Sequence, residues 1–262
     1  MQIDVLTSGI WQTTTTILSR AGGCVVIDPA YFPRELAAIA SRVAELGTAA
    51  AVVFTHGHWD HVMGHTALPG APVWLHRGLA EAIAGGDPRA ERYLEDAREF
   101  DSRWYVPRPE GHRWPVALCG LGDGERVELG GIPVRALDLP GHSPDGLGLV
   151  VEDVLLVGDY LSSCEIPFID DPPAYRRTLV RLIDLLAHDV REVIPGHGPR
   201  HTAADALAIA RADLAYVDRL VAVGQTRDIE GARQIVLPRA EDVVGMRDHH
   251  RDNCAKVGIA LR

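Results

Sequence analysis

Five short apolar runs in this chain stop on histidine or aspartate. CVVI leads straight to Asp28, AVVF through Thr55 to His56, VRALDLPG to His142, VLLVG to Asp159 and VREVIPG to His197. Short runs rich in Val, Ile and Leu, bounded by Gly and Pro, read as buried strands. A histidine or carboxylate fills no apolar core, so these side chains belong beyond the strand ends. In an α/β fold neighbouring strand ends meet at one edge of a sheet, and sites are assembled there. The pattern therefore demands a mixed α/β fold that gathers these strand ends.

The rest of the chain supplies the helices. Pro33 to Leu46 places Leu36, Ile39, Ala40, Val43 and Leu46 on one face, with Gly47 as the stop. Tyr175 to Leu186 is amphipathic, Thr202 to Val223 is a long Ala-rich helix, and Glu91 to Phe100 has helical character. Trp104 to Pro115 reads as an ordered loop rich in proline and aromatics. No linker or repeat interrupts the pattern, so the expectation is one domain over 1–262, with 201–262 a helical C-terminal extension.

Composition narrows the partners. A hydrophobic fraction of 47% suits a folded core, and a net charge of −10 argues against nucleic acid or an anionic membrane as partner. No apolar run is long enough to span a bilayer, and the first residues lack a basic segment followed by an apolar one. Cys24, Cys119, Cys164 and Cys254 form no CxxC pair, which fits reduced thiols and a cytoplasmic protein. His76, His112, His188, His201, His249 and His250 are expected at the surface.

The densest chemistry is THGHWDH, residues 55–61. His56 and His58 lie two apart, so in an extended segment both can face one ion. Asp60 and His61 follow after a turn and can face a second. Imidazole with carboxylate suits zinc, and also iron or manganese.

With THGHWDH, the following PGHSPDG, VGDYLS and IPGHG, and their order, the sequence resembles the metallo-β-lactamase-fold hydrolase superfamily from about residue 3 to 200. Thr before the first His and Trp before the Asp make it most similar to the glyoxalase II variant. The resemblance implies a four-layer αββα sandwich with two zinc-type ions at the sheet edge. It implies that His56, His58 and His142 hold one ion, that Asp60, His61 and His197 hold the other, and that Asp159 bridges. Asp28 would orient a ligand histidine.

Such a pair of cations makes hydroxide available near neutral pH for attack on a carbonyl carbon. Asp60 is the candidate catalytic residue, orienting the nucleophile and shuttling a proton. The expected substrate is a small ester-like molecule: a thioester, lactone or amide. Candidate substrate contacts are Trp59 in the metal loop, Tyr160 beside Asp159, and Ile166 and Phe168 in the segment that leaves it. The alternative is an iron-dependent oxidoreductase of the same fold, such as a sulfur dioxygenase. Two departures bear on the substrate. Lys256 is the single lysine, whereas glyoxalase II-like enzymes hold glutathione carboxylates with lysines. Ser162 stands where lactonases of the superfamily carry a tyrosine.

Overall fold

The computed structural model describes residues 1–239 and 243–261. The chain divides into two compact units, Met1–Asp138 with Leu147–Glu152, and Leu139–Gly146 with Asp153–Arg262. The strands belong to two sheets.

The first sheet lies wholly in unit 1, in the order β1 (Gln2–Thr7), β2 (Thr14–Arg20), β3 (Gly23–Ile27), β4 (Thr48–Val53), β5 (Val73–His76), β6 (Leu118–Leu121). Its first three strands pair antiparallel and the rest parallel. Nearly every residue of β2 and β3 is buried, as expected of strands covered on both faces. Helix α1 (Pro33–Leu46) connects β3 to β4 and buries Leu36, Ile39 and Val43, each contributing about 1.5–3 kcal/mol. Pro33 presets the first helical turn. Glu35 ties that turn to the β1–β2 loop: its carboxylate accepts hydrogen bonds from Ser8 Oγ (2.6 Å), Gly9 N (2.8 Å), Phe32 N (3.1 Å) and Tyr31 N (3.2 Å). Burial alone would raise the Glu35 pKa, but these donors hold it below the usual value.

After β4 come α2 (Trp59–Val62) and a 3-10 turn, Met63–Ala67; β5 then leads into α3 (Arg77–Gly85) and α4 (Pro88–Trp104). The last helix is longer at both ends than the sequence pattern indicates. Asp87 caps its N-terminus and Pro88 fills the first position, a start signal outside the apolar stripe. Strands β7 (Arg126–Leu129), β8 (Ile132–Asp138) and β9 (Leu147–Val151) complete the unit as an antiparallel run of the second sheet. Gly130 and Gly131, with φ of 56° and 79°, form the two-residue turn that joins Leu129 to its partner Ile132.

In unit 2, β10 (Val154–Leu156) pairs parallel with β11 (Glu192–Ile194), which pairs antiparallel with β12 (His201–Thr202). Helices α5 (Pro172–His188) and α6 (Ala203–Thr226) pack together, followed by α7 (Ile229–Arg233) and α8 (Met246–Lys256). Asp171 caps α5 through a bond from Ala174 N (2.9 Å), and Thr202 caps α6 through one from Asp205 N (3.2 Å). The buried face of α6 carries Asp213 and Tyr216 among its apolar residues. Asp213 is held by Arg239 at 2.7 Å, and Tyr216 by His250 at 2.9 Å. His250 is therefore a core residue, correcting the surface position expected of it, because the Tyr216 hydroxyl and the Ala232 carbonyl engage both ring nitrogens. Among the described residues, no helix is long and apolar enough to cross a membrane.

Candidate metal centre

In unit 1, β3 ends at Ile27 and Asp28 turns with φ of 48°, while β4 ends at Val53 and delivers Thr55, His56 and His58. Trp59 opens α2, so Asp60 and His61 leave from its first turn. Asp28 is the hub. Its Oδ1 accepts from Thr55 N (2.8 Å), and its Oδ2 accepts from Thr55 Oγ1 (2.5 Å) and from His61 Nδ1 (2.9 Å). The Thr55 hydroxyl proton is thereby committed to Asp28, so its oxygen accepts from His56 Nδ1 at 3.1 Å. Both imidazoles are thus held with the proton on Nδ1 and the lone pair on Nε2, the form that binds a cation.

The donor atoms then converge. His56 Nε2 lies 3.0 Å from His58 Nδ1, and His61 Nε2 lies 3.3 Å from Asp60 Oδ2. Ligands about 2.0–2.1 Å from a tetrahedral ion stand about 3.3–3.4 Å apart, so these separations suit a shared ion in each pair. Thr13, just before β2, adds a contact absent from the sequence reading: its hydroxyl lies 3.1 Å from Asp60 Oδ2 and 2.8 Å from the Ile10 carbonyl. Trp59 stacks among Trp11, Tyr31 and Phe100, with ring centroids 4.5–5.2 Å apart. Trp11, Trp59 and Phe100 border an open cleft of about 860 Å³ that also reaches Trp104.

Unit 2 carries the remaining donors. His142 follows β8 across Pro140 and Gly141, Asp159 follows β10, and His197 follows β11. Gly141 adopts φ of 126°, and a Cβ there would lie 2.3 Å from the Tyr175 backbone, so only glycine fits. Its carbonyl accepts from Asp170 N (2.8 Å) and Asp171 N (2.9 Å). His142 Nδ1 donates to the Phe168 carbonyl (3.0 Å), and its Nε2 lies 3.1 Å from Asp159 Oδ2. His197 Nε2 lies 3.3 Å from Asp159 Oδ1. Burial opposes a charge on His142, but Asp159, with the Phe168 carbonyl and Glu165 beside it, raises the pKa. Asp159 thus presents one oxygen to each histidine.

The proposed substrate contacts fall into different environments. Tyr160 is only 2% exposed; its hydroxyl donates to the Pro140 carbonyl (2.7 Å) and accepts from His142 N (3.2 Å), so it supports the His142 loop from within the core. Ile166 is also buried. Phe168 stacks on His249 at 3.8 Å, and its backbone carbonyl is the acceptor for His142. Cys164 Sγ lies 3.2 Å from Ser162 Oγ, and burial raises the thiol's pKa, the opposite of an activated nucleophile.

The sequence profile of the metallo-beta-lactamase superfamily matches residues 8–197, a span that includes every donor named above. The chain belongs to that superfamily. Its mixed α/β architecture with two sheets and helices agrees with the fold class expected from the motif order. Hydroxyacylglutathione hydrolase GloC of Haemophilus influenzae is 27% identical over 208 residues, covering 76% of this chain and 91% of that protein. An uncharacterized Mycobacterium tuberculosis protein is 30% identical over 169 residues, 58% of this chain and 70% of its own. Among solved structures, TTHA1623 in a di-iron-bound form is 28% identical with a TM-score of 0.58, covering 77% of this chain and 95% of that one. ETHE1 from Myxococcus xanthus shares the fold at 18% identity with a TM-score of 0.58, covering 98% and 100%. Members of the superfamily are metal-dependent enzymes, and the His/Asp clusters of this chain suit divalent ions.

Proposed function

We propose that this protein is a dinuclear metal hydrolase that cleaves a small ester-like substrate: a thioester, lactone or amide. In this reading His56, His58 and His142 would hold one ion, Asp60, His61 and His197 would hold the other, and Asp159 would serve both. The observation that carries it is the preset imidazole chemistry. His56 and His61 are held with Nε2 lone pairs by the Thr55 and Asp28 network, and His142 by the Phe168 carbonyl. The hydroxyacylglutathione hydrolase relative supports a thioester-type substrate. A pair of divalent ions, zinc in the first instance, would supply Lewis acidity and bring the pKa of water toward neutrality.

The chain's own residues do the rest. Asp60 orients the attacking water and takes its proton, while its Oδ2 is steadied by Thr13. Asp28 orients the His61 ring by accepting its Nδ1 proton. The aromatic cleft that includes Trp59 offers apolar surface of a size suited to a small molecule. Lys256 is the single lysine, whereas glyoxalase II-like enzymes hold glutathione carboxylates with lysines, and this favours smaller or less anionic thioesters. Small molecules rather than nucleic acid or membrane are the intended partners, and a cytoplasmic location follows from the cysteine pattern.

A second reading, an iron-dependent oxidoreductase, is favoured by the di-iron form of TTHA1623. One experiment separates the two. The protein is purified without chelator, its metals are measured, and it is assayed against an acyl thioester, a lactone, a β-lactam, a phosphodiester and a persulfide. Two zinc-type ions with hydrolysis support the first reading; iron with oxygen uptake on the persulfide replaces it with the second.

A further inference from the structure

The C-terminal helix α8 lies far along the chain from the metal-donor residues, yet one of its side chains brackets the group that orients His142. Asn253 is only 3% exposed. Its Nδ2 donates to the Pro167 carbonyl (2.7 Å), and its Oδ1 accepts from Ile169 N (3.1 Å). It therefore grips the backbone on both sides of Phe168, whose own carbonyl receives the His142 Nδ1 proton at 3.0 Å.

The amide can sit only one way round. The Ala232 carbonyl accepts from His250 Nε2 (3.0 Å), so the lone pair of this imidazole is on Nδ1. That lone pair takes the Tyr216 hydroxyl proton at 2.9 Å. The Tyr216 oxygen is then an acceptor for the second Nδ2 proton of Asn253, at 3.1 Å. Burial lowers the His250 pKa, in keeping with a neutral ring. Each donor along this path meets an acceptor, and reversing the amide would set Nδ2 against Ile169 N and Oδ1 against the Pro167 carbonyl. A network satisfied in one orientation only is rigid and unambiguous.

We propose that Asn253 is a positioning residue of the metal centre: through the peptide groups around Phe168 it fixes the tautomer and orientation of His142. The C-terminal helices would then be part of the site's working structure. The proposal rests on His142 being a metal ligand for its consequence, and on geometry within one unit for its cause.

The test reads the cause and the consequence separately. Long-range nitrogen–proton NMR of histidine-labelled, metal-free protein reports which His142 nitrogen carries the proton. Competition with a chromophoric chelator reports zinc affinity. In the wild-type protein His142 is expected with a proton on Nδ1, alone or beside a second on Nε2 that faces Asp159. In Asn253→Ala a fraction is expected as Nε2–H, with zinc bound about 10–100-fold more weakly. Tyr216→Phe removes a buried hydrogen bond from the same network but leaves the grip on Pro167 and Ile169 in place. It is expected to lower Tm with the His142 tautomer unchanged. Asn253→Asp keeps the acceptor for Ile169 N and loses the donor to Pro167, so it serves if the alanine variant does not fold, with the same shift expected. A wild-type tautomer and wild-type zinc affinity in the folded Asn253 variant overturn the proposal, as does an equal tautomer shift in Tyr216→Phe. If His142→Ala leaves zinc binding intact, the dinuclear reading fails while the NMR readout still judges Asn253.

Discussion

The Asp28 carboxylate and the His61 imidazole are joined by a 2.9 Å hydrogen bond from ring Nδ1 to Oδ2. Thr55 donates to the same carboxylate through both its amide and its hydroxyl. Asp28 thus accepts three protons and gives none, and this one-sidedness keeps the His61 Nε2 lone pair exposed to Asp60 and an ion. Asp28→Asn breaks that rule while preserving shape. An amide placed to accept from Thr55 N turns its NH2 toward His61, and the ring must then move its proton to Nε2 to accept there. The expected result is a folded protein whose ion at Asp60 and His61 binds about 10–100-fold more weakly. Chelator competition resolves the two ions, and equal loss at both would show that Asp28 acts on more than His61.

Glu35 supplies a pH-dependent prediction. Four hydrogen bonds to its carboxylate depress its pKa from the model-peptide value of 4.5, against the opposing effect of burial. A depressed folded-state pKa contributes stability above the unfolded value, and that stability is lost as pH falls through the folded one. Glu35→Gln removes this contribution. Its Tm is expected below wild type at neutral pH, with the gap closing as pH drops below about 4.5. Thermal melts from pH 3 to 7 check the sign; a gap that widens toward acid would mean the donors favour the neutral acid.

Asp159 is expected to couple the two metal positions. Its Oδ2 faces His142 Nε2 at 3.1 Å and its Oδ1 faces His197 Nε2 at 3.3 Å. A carboxylate that serves two cations cannot be removed from one alone. Asp159→Ala should therefore release both ions together on dialysis, and elemental analysis of the dialysed protein is the check. One ion retained at full occupancy would confine Asp159 to a single position.

Much of this site was legible in the sequence because ligand chemistry leaves few substitutes. A strand ending in His or Asp has one plain use, and Asp28, His56, His142, Asp159 and His197 all follow apolar runs. Helices α1, α5 and α6 were equally open, since their apolar spacing follows the 3.6-residue period. The supporting contacts were hidden for a physical reason. Thr13 reaches Asp60 through a loop of unusual backbone, with Trp11 and Gln12 at φ of 47° and 59°. Phe168 acts through its carbonyl, which every residue possesses, so its side chain pointed to a different role. His250 looked like a surface residue, and Asn253 drew no notice, because α8 has no strong apolar stripe; their hydrogen bonds are tertiary and no local pattern encodes them. Strands β6 and β7 are short and partly exposed, and escaped for that reason.

Asp60 and Thr13 allow the catalytic role to be separated from the ligand role. Asp60→Asn is nearly isosteric, so the packing around α2 should survive. The amide still offers an oxygen to an ion but takes no proton from water. Loss of a general base costs about 10²–10⁴ in rate, or roughly 3–5 kcal/mol of barrier. Raising the metal concentration should restore occupancy and only a small part of the rate. Thr13→Val removes the hydroxyl that lies 3.1 Å from Asp60 Oδ2 and leaves the carboxylate in place. Its metal content should match wild type, while kcat falls by far less than in Asp60→Asn. The double variant is expected to be no slower than Asp60→Asn, because Thr13 acts only through the carboxylate that has already been lost. The measurement is kcat at saturating metal and substrate for wild type and all three variants. Wild-type kcat in Asp60→Asn would leave Asp60 as a ligand only, and an additive loss in the double variant would give Thr13 a role of its own.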